Sequence, residues 1–206
     1  MARFSFSIIL FCSVAFLTIQ SEAQESETAF PASQRIANMA VLPLFLIPVI
    51  HESGHALVAL AHGADSVSMK LFFPPNTAYS LDPNVSSYGF KRGTIFAGGF
   101  LATRLSCEPI NYLLDRSNTP RWLEGFGGGL YSIMRFDLPI QYLWGLTYAV
   151  FGPSKGVPDF TGMTKAFSLD STEEVLFYVA TGLLIVADLY FSWSSIQRNF
   201  DRGVGR

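Results

Sequence analysis

The stretch Ile36-Ala-Asn-Met-Ala-Val-Leu-Pro-Leu-Phe-Leu-Ile-Pro-Val-Ile-His51-Glu52-Ser53-Gly54-His55-Ala-Leu-Val-Ala-Leu-Ala61 decides the fold. It contains no Lys, Arg or Asp. Wound as a helix at about 1.5 Å per residue, it spans about 39 Å, enough to cross a bilayer core of about 30 Å with tilt. Pro43 and Pro48 kink it, which membrane helices tolerate when neighbours re-satisfy the freed carbonyls. Three polar groups, His51, Glu52 and His55, interrupt the apolar run. Ionisable side chains at membrane depth are costly and mark functional sites.

Composition agrees with that reading. Charged residues are 15% of the 206-residue chain, against about 25% in an average soluble domain. The mean hydropathy is +0.32. Such values exclude a disordered chain. With 14 basic against 16 acidic residues and no basic run, nucleic acid is excluded as a partner. Residues 1–23 read as a secretory signal peptide, with Arg3, an apolar core and small residues at Ser21 and Ala23; an uncleaved anchor is the alternative. Residues 24–35 form a polar exposed leader, and residues 36–206 a single membrane-embedded domain. Cleavage after Ala23 removes Cys12 and leaves Cys107 as the one cysteine.

Beyond Ala61 the pattern changes. Val67 to Phe73 suggests a strand and Pro74-Pro75-Asn76 a turn. Further apolar segments run over 94–114, 126–151 and 175–193, the first interrupted by Arg104 and Glu108, the second by Arg135 and Asp137. The expected fold class is therefore an all-α multi-pass membrane protein. It has three to four transmembrane helices and a short β-like or irregular loop after the first. A cleaved signal peptide with a cytoplasmic arginine-rich tail requires three crossings; four put the tail outside. Gly98-Gly99 and Gly125 to Gly129 offer small faces for close helix contact.

His51-Glu52-Ser53-Gly54-His55 is an H-E-x-x-H pattern. Residues four apart share a helix face, so both imidazoles reach one metal ion. A catalytic zinc takes three protein ligands and keeps one position open. Glu52 is placed to act as general base on a water molecule. His62 is excluded as the third ligand, because seven residues separate it from His55 by about 10.5 Å along the axis. With Gly63 it reads instead as a helix C-terminus. The third ligand comes from later in the chain: Asp159, Asp137, Glu108, Asp188 or Glu124. Asp137 has an ion pair with Arg135 or Arg104 as its competing role.

A membrane helix carrying His51 to Ala56 resembles the site-2 protease family of intramembrane zinc metalloproteases. That resemblance implies an aspartate ligand in a later Leu-Asp-Gly motif. Gly156-Val157-Pro158-Asp159-Phe160 stands at the matching place, with Phe where the family has Gly. The implied site is zinc on His51, His55 and Asp159 with Glu52 as base. The implied substrate is a transmembrane or juxtamembrane segment of another membrane protein, cut within the lipid bilayer. The implied location is a membrane, the inner (plasma) membrane in a bacterium. A non-catalytic protease-related membrane interaction protein is the main alternative. A metal transporter is a further one, which the small number of apolar segments disfavours.

Overall fold

The structure, a computed structural model, describes residues 30–71, 75–116, 118–152 and 157–205. The signal peptide expected over 1–23 lies outside them. The first long helix is continuous in three pieces: α1 (Ala32–Ile36), a π-helical turn (Ala37–Val41) and α2 (Leu42–Ala61). Pro43 opens α2 directly behind the π-helical turn, so the change of helical pitch falls where a proline supplies no N–H to the preceding turn. Pro48 lies inside the helix and deprives the Leu44 carbonyl of its donor.

α2 ends at His62 and Gly63, as the sequence suggests. Gly63 takes φ +78°. Its N–H donates to Leu60 O (2.9 Å), and the Ala64 N–H reaches back to Ala59 O (3.0 Å). This is a Schellman closure, and it satisfies two of the last carbonyls.

The chain then forms an antiparallel hairpin of β1 (Ser66–Lys70) and β2 (Asn76–Ser80), with Ser66 opposite Ser80 and Lys70 opposite Asn76. Both strands lie against α2. Next come α3 (Tyr88–Leu114), α4 (Arg121–Met134), α5 (Asp137–Phe151), α6 (Asp159–Ala166) and α7 (Ser171–Val204). Asp170 caps α7 through the Thr172 and Glu173 N–H groups, and Glu173 returns the bond in a full capping box.

The fold class is as expected at the coarse level: mostly helical, with one small hairpin after the first long helix. Two details differ. The apolar run over 126–151 is not one helix but two, broken at Arg135–Phe136. Pro139 explains the break, since it is accommodated in the first turn of α5 but not in the middle of a continuous helix. The last helix is longer than its apolar core, because polar turns extend it at both ends.

Among the described residues, two stretches are long and apolar enough to cross a membrane: Ala32–Ala61 and Ser171–Val204. α4 and α5, at 14 and 15 residues, fall short of the roughly 20 that a span needs.

Glycines set the helix spacing. A Cβ on Gly54 would stand 2.1 Å from Gly98 O, and one on Gly98 would stand 2.7 Å from Gly54 O, so α2 and α3 touch backbone to backbone. α4 meets α7 and the π-helical turn in the same way, with Gly128 against Asn199 O and Gly129 against Asn38 O. Cys107, Leu130, Tyr131, Met134 and Ile196 fill the core between α3, α4 and α7. Beside it Arg104 pairs with Asp188, and Arg135 pairs with Glu108 and Asp188. That cluster joins three elements and leaves no net charge among its four members.

Candidate metal centre

The last three turns of α2 carry His51, Glu52 and His55, all buried, with their ligand atoms within 4.8 Å of one another. This group can hold a metal ion. Four other elements complete its surroundings.

The ring nitrogens divide their work. His51 Nδ1 lies 2.9 Å from Asp137 Oδ2, on the first turn of α5. His55 Nδ1 lies 2.6 Å from the Ile95 carbonyl of α3. A carbonyl only accepts, so His55 carries its proton on Nδ1. Asp137 Oδ2 also accepts from Thr103 Oγ1 at 2.7 Å, so it is an acceptor toward His51 as well. Both Nε2 atoms therefore face the remaining partner, Asp159. Asp159 Oδ2 is 2.9 Å from His51 Nε2 and 3.4 Å from His55 Nε2.

Two neutral imidazoles protonated at Nδ1 would aim lone pairs at a carboxylate oxygen. That arrangement is repulsive unless positive charge sits between them, as protons on the Nε2 atoms or as a metal ion. The spacing suits an ion. Ligands about 2.0–2.1 Å from a tetrahedral centre stand about 3.3 Å apart. The separations of 2.9 and 3.4 Å bracket that value. Gly99 is what leaves the space: a Cβ there would lie 2.4 Å from His51 Nε2 and 2.6 Å from His55 Nε2.

Asp159 opens α6 behind Pro158, at a helix N-terminus that favours negative charge. Burial works to raise its carboxyl, but where the two Nε2 atoms carry protons, hydrogen bonds from His51 and His55 outweigh it and hold the group at about 2. It is ionised at neutral pH.

Glu52 takes a hydrogen bond from Thr77 of β2, 2.7 Å from Thr77 Oγ1 to Glu52 Oε2. Around these groups lies a cavity of about 460 Å³. Its walls are apolar, with Ile47, Phe96, Trp144 and Val157 among them. Gln141, one turn beyond Asp137 on α5, also lines it, and its side-chain oxygen has no hydrogen-bond partner among the described residues. Tyr79 lines the hairpin side. Burial raises its phenol above the ordinary value, against the pull of Arg92, so it presents a neutral hydroxyl.

Comparison with protein-family models, with curated proteins and with solved structures finds no match.

The structure thus gathers His51, Glu52, His55, Asp137 and Asp159 in one place. Glu108 and Asp188 are engaged by Arg135 and Arg104 instead. Asp137 does not pair with either arginine, as its competing role required, but with His51 and Thr103. Glu124 lies in the first turn of α4. His62 is bonded through Nε2 to Thr94 Oγ1 at 2.7 Å, at the end of α2. Sequence reasoning missed Thr77, the Ile95 carbonyl and the Asp137–His51 contact. Only Thr77 left a signal, as the inward member of an alternating strand.

Proposed function

We propose that this protein is an intramembrane zinc metalloendopeptidase that hydrolyses peptide bonds in or near the transmembrane segments of other membrane proteins. His51, His55 and Asp159 hold the ion, and Glu52 is the general base. The observation that carries this reading is the convergence of both Nε2 atoms and Asp159 Oδ2 on one spot, with Glu52 beside it.

A zinc ion in such a set supplies Lewis acidity, which polarises a peptide carbonyl and eases deprotonation of water. The protein's own groups do the rest. Glu52 takes a proton from the attacking water and delivers it to the amine as the C–N bond breaks. Asp137 and the Ile95 carbonyl hold the two rings so that Nε2 faces inward. Apolar walls exclude bulk water and strengthen each of these polar contacts.

The substrate segment is locally unwound where it is cut, because a helix shields its peptide bonds within its own backbone hydrogen bonds.

Membrane insertion is supported by the surface of α7. Leu183, Leu184, Val186 and Phe191 are 67%, 71%, 66% and 81% exposed. A contiguous apolar face of this kind is rare in water and suits hydrocarbon.

The test is a cleavage assay in proteoliposomes that also contain a panel of single-span membrane proteins. The parent is expected to cleave and Glu52→Gln to be slower by about 10²-fold or more, the usual worth of a general base. A Glu52→Gln variant as fast as the parent overturns the mechanism.

A further inference from the structure

We propose that Thr77 is a positioning residue for Glu52, so that the hairpin takes part in the chemistry rather than only walling the cavity. The inference rests on the hydrolase reading above.

β2 alternates. Asn76, Ala78 and Ser80 are exposed, while Thr77 is buried at 9% exposure. The buried side points at α2, and there Thr77 Oγ1 meets two oxygens of one residue: Glu52 Oε2 at 2.7 Å and the Glu52 main-chain O at 3.0 Å. A hydroxyl has one proton to give. The carboxylate oxygen is nearer and charged, so it is the stronger acceptor.

No other side chain among the described residues hydrogen-bonds that carboxylate. Glu52 is 7% exposed, so the contact is shielded from competing water. A glutamate has three rotatable bonds, and without this bond nothing polar fixes its last one. Thr77 is stiff at χ1 because it is β-branched, and its strand is pinned to β1 from Ser66–Ser80 to Lys70–Asn76. The hydroxyl ties down Oε2 and leaves Oε1 without a protein partner among the described residues. The base is thereby presented through one oxygen in one orientation.

Misplacing a reacting group by about 1 Å costs on the order of 10²-fold in rate. Thr77→Val keeps the shape and removes the hydroxyl. Thr77→Ser keeps the hydroxyl and removes a methyl. In the proteoliposome assay, with Glu52→Gln alongside, Thr77→Val is expected to lower kcat by about tenfold to a hundredfold with KM little changed. Bound zinc stays at the parent's value, and the melting temperature falls by no more than the few degrees that one lost buried hydrogen bond removes. Thr77→Ser is expected to retain most of the parent's kcat.

The role is overturned if Thr77→Val matches the parent while Glu52→Gln is dead. It is also overturned if Thr77→Ser is as impaired as Thr77→Val, or if Thr77→Val loses its zinc, since packing or metal binding would then account for the effect. A parent that cleaves nothing, or a Glu52→Gln variant as fast as the parent, overturns the hydrolase reading instead.

Discussion

His51 uses both of its ring nitrogens, and each meets an aspartate. Nδ1 is 2.9 Å from Asp137 and Nε2 is 2.9 Å from Asp159. The two carboxylates are equal in distance and different in position. One meets Nδ1 and is held by Thr103. The other lies between the two imidazoles. Under the proposed function Asp137 orients the ring and Asp159 binds the ion. Outer partners of this kind contribute about 10–100-fold to metal affinity. Asp137→Asn is therefore expected to weaken zinc binding by that factor while leaving one zinc per chain at saturation. A competition titration with a chromophoric chelator measures it. An unchanged affinity would separate Asp137 from the centre.

At the scale of elements, the site depends on how closely α2 and α3 approach. Gly54 sits between the two histidines on α2, facing Gly98. Gly54→Leu would place carbon against the Gly98 backbone, which cannot rotate out of the way, so the helices must part. Overpacking of this kind costs about 1–3 kcal/mol or more. The expected result is a lower melting temperature and loss of zinc together. Leu57→Ala, one turn on at 66% exposure, is expected to change little. Equal melting temperatures for Gly54→Leu and the parent would contradict the packing account.

This is also the scale at which the sequence speaks most clearly. The apolar run over 36–61 announces the helix, and the glycine pairs announce its contacts. The corner at Arg135–Phe136 is harder to see, because hydrophobicity continues across it. Pro139 and the charges on Arg135 and Asp137 were its only traces. The start of α7 was readable from the capping pattern Asp170-x-x-Glu173, which lies outside the apolar core that drew attention to the segment.

For the whole molecule, the centre is assembled from distant parts of the chain. His51 and Asp159 are 108 residues apart, and Asp137 is 86 from His51. Spacing alone does not say which acid closes such a site; the resemblance of Gly156 to Phe160 pointed to Asp159. His-Glu-x-x-His was legible because helix periodicity fixes its geometry within five residues. Residue chemistry alone left Asp159, Asp137, Glu108, Asp188 and Glu124 open, because the choice depends on which acids the arginines claim. Arg104 and Arg135 take Asp188 and Glu108. Unpaired charges in a low-dielectric interior are costly, so these pairings remove two acids from contention. Thr77 was legible only as half of an alternating strand, since nothing in the sequence says what that strand faces.

The central claim is a zinc ion held jointly by α2 and α6. Elemental mass spectrometry of the detergent-purified full chain tests it most directly, with Asp159→Ala beside the parent. One zinc per parent chain is expected, and loss of that zinc in Asp159→Ala. A parent that binds no metal when zinc is supplied, or an Asp159→Ala chain that keeps it, would contradict the account.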